Sequence, residues 1–383
     1  MLELQALMIL LGCGYVAAVV WLVSGLRRAA PTVSGTTPDV SVIIAARNEE
    51  ASISTCLRAL QLQEYAGEIE VVVVDDRSSD RTGQILREIA AGWPALKPVP
   101  LGEGEGEFEC PKKSALARGI AASSGELLMF TDADCEPPPA WVRITASLFT
   151  DGVGLVAGYA RPRGTRWLRH RVLALDNLAV SALAAGSIGN GAVLSCTGRN
   201  LAYRRRLYDE AGGYASIGHL VAGDDVYFAR LVAQATDWRM VYCRDPAAVV
   251  ACGPGPESWS GLMHQKLRHA SKAGHYRGAA KLLGAAVYLF HLTLLWGVVQ
   301  TFLFEKVPPA FPAVWGFRWL IDYLLLQSFA PASEDRRLIP FLPILEFLYI
   351  PYVLLFVPAG TAGWFRWRED EAEEEEEEEA TSS

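Results

Sequence analysis

Three short apolar runs in the first third of the chain each break off into a polar turn. Val40 to Ala46 empties into Arg47-Asn48-Glu49-Glu50, and Glu68 to Val74 into Asp75-Asp76-Arg77-Ser78-Ser79-Asp80. Leu127 to Phe130 empties into Thr131-Asp132-Ala133-Asp134. β-branched runs of this kind predict strands buried on both faces of a parallel sheet. Between them the apolar residues change to helical spacing. Ile53, Leu57 and Leu60 predict a helix over Ser52 to Leu62; Ile85, Leu86 and Ile89 predict another over Thr82 to Ala91. Ser114 to Ile120 also reads as helical. The alternation predicts an α/β, doubly wound fold whose ligands gather at the carboxyl ends of the strands. The turn after the first strand lacks the glycine-rich dinucleotide fingerprint, which argues against NAD or FAD and for a nucleotide held by side chains.

Four longer apolar blocks have a different meaning. Leu4 to Gly25 carries no charge and is long enough to cross a bilayer. Glu3 precedes it and Arg27 and Arg28 follow, so the positive-inside rule puts the amino terminus outside and the next domain in the cytoplasm. A cleaved signal peptide would carry its basic residues first and a shorter apolar core, so an uncleaved anchor is expected. In the last third, Leu282–Phe304 and Phe341–Pro358 read as spans, the latter interrupted by Glu346. Phe311–Phe329 contains Arg318 and Asp322, which share one helix face at i and i+4 and can neutralise each other. Whether this block spans or lies in the interface decides the side on which the tail emerges. Arg336 and Arg337 favour three spans after the anchor region, Arg366 and Arg368 favour two. The expected organisation is an anchor over 1–28, a catalytic domain over 38–277, two or three membrane helices over 282–363 and an acidic tail over 364–383.

Composition changes this picture in two respects. The formal charge of −8 is misleading, because ten acids fall within residues 369–379. Without them 33 acids face 35 bases, a body near +2. The run Glu373 to Glu379 is low-complexity and reads as a solvated tail. The seven cysteines are scattered without a Cys-x-x-Cys pair, which fits a reducing compartment and no zinc site.

The candidate chemistry centres on Asp132 and Asp134. Residues i and i+2 of an extended chain point the same way, so both carboxylates can face one ligand. Hard oxygen ligands suit Mg²⁺ or Mn²⁺, and Mg²⁺ is commonly shared with phosphate. The pair reads as a metal–diphosphate clamp. On its own such a pair is more often a solvated turn. Asp75 and Asp80 read as caps for the following helix, Asp80 in particular, whereas Asp76 at the strand end reads as a binding group.

Taken in order, seven segments resemble family 2 glycosyltransferases of the GT-A fold, membrane-anchored and bacterial. They are Ser41 to Glu50, Val74 to Thr82, Lys112-Lys113-Ser114-Ala115-Leu116, Thr131 to Asp134, Gly198-Arg199-Asn200-Leu201-Ala202-Tyr203, Gly223-Asp224-Asp225 and Gln265-Lys266-Leu267-Arg268. They extend over about residues 40 to 270. The resemblance implies an inverting transfer of a sugar from a nucleotide sugar, most often of UDP, to a membrane lipid or cell-envelope glycan. It implies Mg²⁺ or Mn²⁺ as cofactor, the cytoplasmic (inner) membrane as location and no nucleic-acid partner.

It also implies residue roles. Asp76 binds the base, with Ala45 contributing backbone contacts and Asn48 and Glu49 lining the same wall. Asp134 is the direct metal ligand, with Asp132 beside it touching metal, ribose or sugar. Lys112 adds positive charge near the donor, and Gln265 and Arg268 face acceptor and diphosphate. Asp224-Asp225 stands where the family has Glu-Asp; Asp225 is the expected general base and Asp224 the helix cap. His269 replaces the tryptophan of the Gln-x-x-Arg-Trp element, which weighs against a processive polysaccharide synthase. A catalytically silent membrane scaffold is opposed by the intact Asp76, Asp132, Asp134 and Asp225. Lys266, Arg268, Lys272 and Arg277 also suit attraction to anionic headgroups. The segment from Gly158 to Arg199 admits two readings, a lipid-facing acceptor helix or ordinary core, with Gly186, Gly189 and Gly191 expected to form a flexible turn.

Overall fold

The apolar runs become the centre of a seven-stranded sheet. Its strands are among β1 (Val40–Ala46), β2 (Ile69–Asp76), β3 (Leu96–Leu101), β4 (Leu127–Phe130), β5 (Val153–Gly158), β6 (Ala160–Pro162), β7 (Leu201–Arg204), β8 (Arg239–Cys243) and β9 (Val250–Cys252). The order is β3-β2-β1-β4-β7-β5-β8, and β6 pairs with β9 apart from it. β1 runs parallel to β2 and β4, with Val42 opposite both Val71 and Met129, and β7 is antiparallel to β4 and β5. This computed structural model describes residues 2–28, 33–102, 104–164, 167–220, 223–253, 255, 258–275, 278–330 and 333–364. Arg277, Arg366, Arg368 and the acidic run Glu373 to Glu379 lie outside the described residues.

The helices are α1 (Leu2–Leu26), α2 (Ile53–Gln61), α3 (Thr82–Ala90), α4 (Pro111–Ala121), α5 (Trp141–Ser147), α6 (Leu168–Gly189), α7 (Arg205–Glu210), α8 (Val226–Ala235), α9 (Trp259–Ser271), α10 (Gly278–Leu303) and α11 (Ala310–Phe329), followed by shorter helical turns to Thr361. α2 buries Ile53, Cys56, Leu57 and Leu60, the periodic positions of the sequence, against the sheet core that contains Val42, Ile44, Val71 and Val73. β3 is a strand that periodicity does not announce. It carries Pro98 and Pro100, which cannot donate to a ladder and are tolerated because β3 is an edge strand.

The chain divides into two compact units. One comprises Trp21–Gly253 and Leu325–Leu338; the other comprises Met1–Val20, Pro254–Leu324 and Ile339–Ser383. The first stretch of the sheet unit runs to Gly253, and α9, with Gln265 and Arg268, groups with the apolar helices. A Cβ at Gly360 would lie 2.5 Å from the Leu267 carbonyl oxygen, which shows how closely α9 is packed within that unit.

Among the described residues four helices are long and apolar enough to cross a membrane: Leu2–Leu26, Leu168–Gly189, Ala280–Leu303 and Ile339–Thr361. α6 differs from the others in burying more than half of its apolar window, with Leu175, Leu178 and Ala182 inside, so it serves as core beneath the sheet. The expected flexible turn at Gly186 and Gly189 is overturned. Both lie within α6, where a Cβ at Gly186 would stand 2.7 Å from Leu22 O and one at Gly189 2.3 Å from Gly25 O. These glycines bring α6 against the last turns of α1; only Gly191, at φ +76°, forms the turn.

In the second unit, α11 is continuous through its charged pair. Arg318 Nε lies 3.9 Å from both Asp322 Oδ2 and Glu346 Oε2, and Tyr15 donates its hydroxyl to Asp322 at 2.8–2.9 Å. Arg318 and Glu346 are each almost fully buried. The i,i+4 neutralisation read from the sequence therefore extends to a second carboxylate on another helix, a polar tie among apolar segments.

Candidate active site

The carboxyl ends of β1 and β2 are stitched together by their loops. Asn48, at φ +53°, donates its backbone N–H to Ser78 Oγ at 3.0 Å, and its side-chain oxygen accepts from Ser79 N at 2.8 Å. Glu49 N donates to Thr82 Oγ1 at 2.8 Å, and its carboxylate accepts from Ser52 Oγ. Asn48 and Glu49 therefore hold the shape of this wall as well as lining it. Asp80 Oδ1 accepts from Thr82 N at 2.8 Å; burial pushes its carboxyl up, but the bonds from Thr82 and Glu50 outweigh this and leave it below the usual range. The N-cap position itself is Arg81, so Asp80 satisfies the first helical amide from one residue before it.

Asp76 ends β2 with only 4 % of its surface exposed. A buried carboxylate needs a compensating charge, and Arg77 supplies it, with Nε and one terminal nitrogen each 2.8 Å from Asp76 Oδ1. Arg77 holds the left-handed conformation at φ +56°, unusual for a side chain of this size. Ala45 sits on β1 opposite Val74, one strand from Asp76.

A second group gathers beyond β4. Lys112, on the first turn of α4, places its ammonium 2.7 Å from Asp132 Oδ1 and 3.9 Å from Asp224 Oδ2. Burial alone would lower the lysine's pKa; Asp132 and Asp224 together overcome it and raise it above the ordinary value. Burial likewise pushes Asp132 up, but Lys112 and then Arg199 hold it below the usual carboxylate range. The adjacent Lys113 is turned away, donating to the carbonyls of Ile217 and Leu220. Of the two lysines, only Lys112 has its ammonium at the Asp132 carboxylate.

The Asp224-Asp225 pair departs from the expectation in which member caps the helix. Asp225 caps α8, its Oδ1 accepting from Val226 N at 2.6 Å and its Oδ2 from Gly198 N at 3.3 Å. Asp224 is the member beside the ammonium. The capping role assigned to Asp224 is corrected, because the helix begins one residue later than that assignment requires.

The Gly198-Arg199-Asn200 turn completes the cluster. Arg199 N–H caps onto Thr197 Oγ1, and its guanidinium donates to Asn177 Oδ1 at 3.2 Å. The sequence offers these residues as a family motif without a role; the signal was a polar triplet directly before an apolar strand. Asn200 is a structural hub. Its Oδ1 accepts from Trp141 Nε1 at 2.9 Å and its Nδ2 donates to Tyr159 O at 2.9 Å and Ala248 O at 3.0 Å. Asn200→Ala orphans the buried Trp141 Nε1 and Ala248 O and leaves Tyr159 O with Val250 N alone, and a loss of about 2–4 kcal/mol in unfolding free energy is expected, measured by denaturant titration. A change below about 0.5 kcal/mol would contradict it.

Asp134 Oδ1 accepts from Cys135 Sγ at 3.3 Å, and a Cβ at Gly253 would stand 2.6 Å from Oδ2, so a larger residue there would push the carboxylate aside. Among the described residues no group of three or more His, Cys, Asp or Glu is arranged to hold a metal. The donor set of Asp132 and Asp134 nevertheless suits a divalent cation whose other oxygens come from a diphosphate and water. Gln265 and Arg268 lie on α9 of the other unit.

The model of the family described as "Glycosyl transferase family 2" matches residues 41–212. The glycosyltransferase AglE of Haloferax volcanii is 31% identical over 228 residues, 58% of this chain and 68% of that enzyme. The beta-monoglucosyldiacylglycerol synthase of Trichormus variabilis is 30% identical over 188 residues, 47% of this chain. The chain spans less than half the length of that synthase and of other curated relatives. Among solved structures, the mannosyltransferase PcManGT from Pyrobaculum calidifontis, in complex with GDP-Man and Mn²⁺, aligns with a TM-score of 0.56 at 21% identity, covering 94% of this chain and 98% of that one. That likeness establishes the fold.

Proposed function

The chain belongs to glycosyltransferase family 2 and is a glycosyltransferase; from that premise we propose that it transfers a sugar from a nucleotide-sugar donor, with UDP as the nucleotide, to a membrane lipid or envelope glycan, inverting the anomeric centre. The observation that carries this reading is the meeting of Asp132, Lys112 and Asp224 beside the Asp225 cap. Asp76 would accept from the base or ribose at the carboxyl end of β2, against the wall that Ala45, Asn48 and Glu49 form. Lys112 would set positive charge beside the sugar diphosphate. Asp134, with Asp132 adjacent, would hold Mg²⁺ or Mn²⁺, which when bound neutralises the departing diphosphate. Asp225 would take the acceptor's proton as the hydroxyl attacks opposite the leaving group in a single displacement.

The Mn²⁺ complex of the structural neighbour supports metal dependence, and the name of the Trichormus relative supports a lipid acceptor. The apolar helices support a multi-pass protein of the cytoplasmic membrane, and Arg27 and Arg28 after α1 support a cytoplasmic sheet unit. Purified protein in detergent, incubated with lipid extract and a panel of UDP- and GDP-sugars, should consume one donor in a metal-dependent way and yield one labelled product identified by mass. No turnover with any donor would overturn the reading, and a ladder of products would make it a polymerase. Asp76→Ala should raise the donor KM about tenfold or more with a smaller fall in kcat, since a contact made before the chemistry is lost. A pure kcat defect would place Asp76 in the chemistry instead.

A further inference from the structure

Along β8, the outer strand of the sheet, runs a cavity of about 1340 Å³ whose lining includes none of the residues assigned above to donor, metal or base. Thr36 and Thr37, ahead of β1, and Tyr65, ahead of β2, place part of it toward the amino ends of the parallel strands, whereas Asp76 and Asp132 stand at the carboxyl ends. Part of its wall is apolar: Leu26 at the end of α1, Ile188 at the end of α6, Tyr242 and Phe329.

The charged residues are one-sided. Arg28, Arg143, Arg239, Arg244 and Arg336 line the cavity, with Asp245 as the single acid among the described lining residues. Arg244 donates to the carbonyls of Leu26 at 2.6 Å and Ser328 at 2.7 Å, and Arg239 to the carbonyl of Asp151 at 2.8 Å. Asp245 is engaged with Ala247 N at 2.9 Å. Among the described residues none of the five arginines pairs with a carboxylate. Guanidinium groups gathered without counter-charge repel one another, and their planar forks match phosphate oxygens.

Location narrows the anion further. Leu26 ends an apolar helix of 25 residues, so the cavity opens where such a helix would leave the hydrocarbon and reach the headgroups. We propose that this cavity seats the phosphate of an anionic phospholipid, its glycerol and upper acyl chain lying against the last turn of α1. The proposal rests on α1 crossing a bilayer and is independent of the glycosyl-transfer reading.

The full chain in neutral detergent is titrated with dioleoyl phosphatidylglycerol or dioleoyl phosphatidylcholine and observed by native mass spectrometry. One phosphatidylglycerol per chain is expected, with phosphatidylcholine binding about tenfold or more weakly. Arg143 and Arg336 are exposed and their side chains make no hydrogen bond among the described residues, so Arg143→Gln/Arg336→Gln leaves the fold intact. That variant should bind phosphatidylglycerol about thirtyfold more weakly, the scale of two lost cations near a lipid surface. Donor turnover, read on the same preparation, should be unchanged, and its absence in both proteins would count against the transferase reading alone. Equal binding of the two lipids, or unchanged affinity in the variant, would overturn the proposal. Displacement of the lipid by equimolar glycerol 3-phosphate would reassign the cavity to a soluble phosphate.

Discussion

Asp134→Asn is expected to abolish Mn²⁺- or Mg²⁺-stimulated turnover while the protein still inserts and folds. The substitution keeps volume, and asparagine retains an oxygen for the Cys135 thiol, which donates at 3.3 Å. What it removes is one negative charge, at a carboxylate that packs directly against Gly253. A divalent ion held by two aspartates and a diphosphate loses a hard anionic ligand, and the proposed neutralisation of the leaving group goes with it. Metal titrations of turnover on wild type and variant, with thermal unfolding as a control, give the result. A loss of about a hundredfold or more in kcat at saturating metal is expected. Wild-type activity in the variant would remove the metal clamp from the mechanism.

Legibility followed local physics. β1, β2 and β4 were plain because strands buried on both faces need unbroken apolar runs, and their carboxyl ends carried the polar turns that became the site. The tie of Asp80 to the start of α3 was legible because its bond to Thr82 N is made within two residues, although the N-cap position falls on Arg81. β3 was not legible, since two prolines disguise an edge strand whose pairing with β2 is decided only by the sheet. Gly186 and Gly189 misled for a related reason. Glycine signals a turn when read alone, yet here it permits contact between helix backbones more than 150 residues apart in sequence. The grouping of α9 with the apolar helices was not read, although Gly253-Pro254-Gly255-Pro256 punctuates the chain at that point. Lys112 and Lys113 are indistinguishable as a pair in sequence; only the fold turns one toward Asp132 and the other toward carbonyls.

The Asp224-Asp225 pair is where sequence and structure differ most usefully. Motif position makes Asp225 the base and leaves capping to Asp224, while the geometry gives Asp225 the cap and Asp224 the ammonium. Capping and proton acceptance are compatible, because the bonds from Val226 N and Gly198 N fix the carboxylate without protonating it. Asp225→Asn separates the two functions. Asparagine is nearly as good a cap as aspartate, so the bond to Val226 N survives. Its amide then faces Gly198 N donor to donor, a mismatch worth about 1 kcal/mol at most at this long 3.3 Å contact. Proton acceptance at neutral pH is lost entirely. If Asp225 is the base, kcat should fall about a hundredfold or more while donor affinity stays within a few-fold. Asp224→Asn should instead weaken donor binding modestly, because Lys112 loses one of its two carboxylate neighbours and its charge is redistributed toward Asp132. Two variants with the same kcat loss, or an Asp225→Asn protein that loses stability rather than rate, would remove Asp225 from the chemistry. The proton acceptor would then be sought at Asp224, whose Oδ2 already faces Lys112 across 3.9 Å.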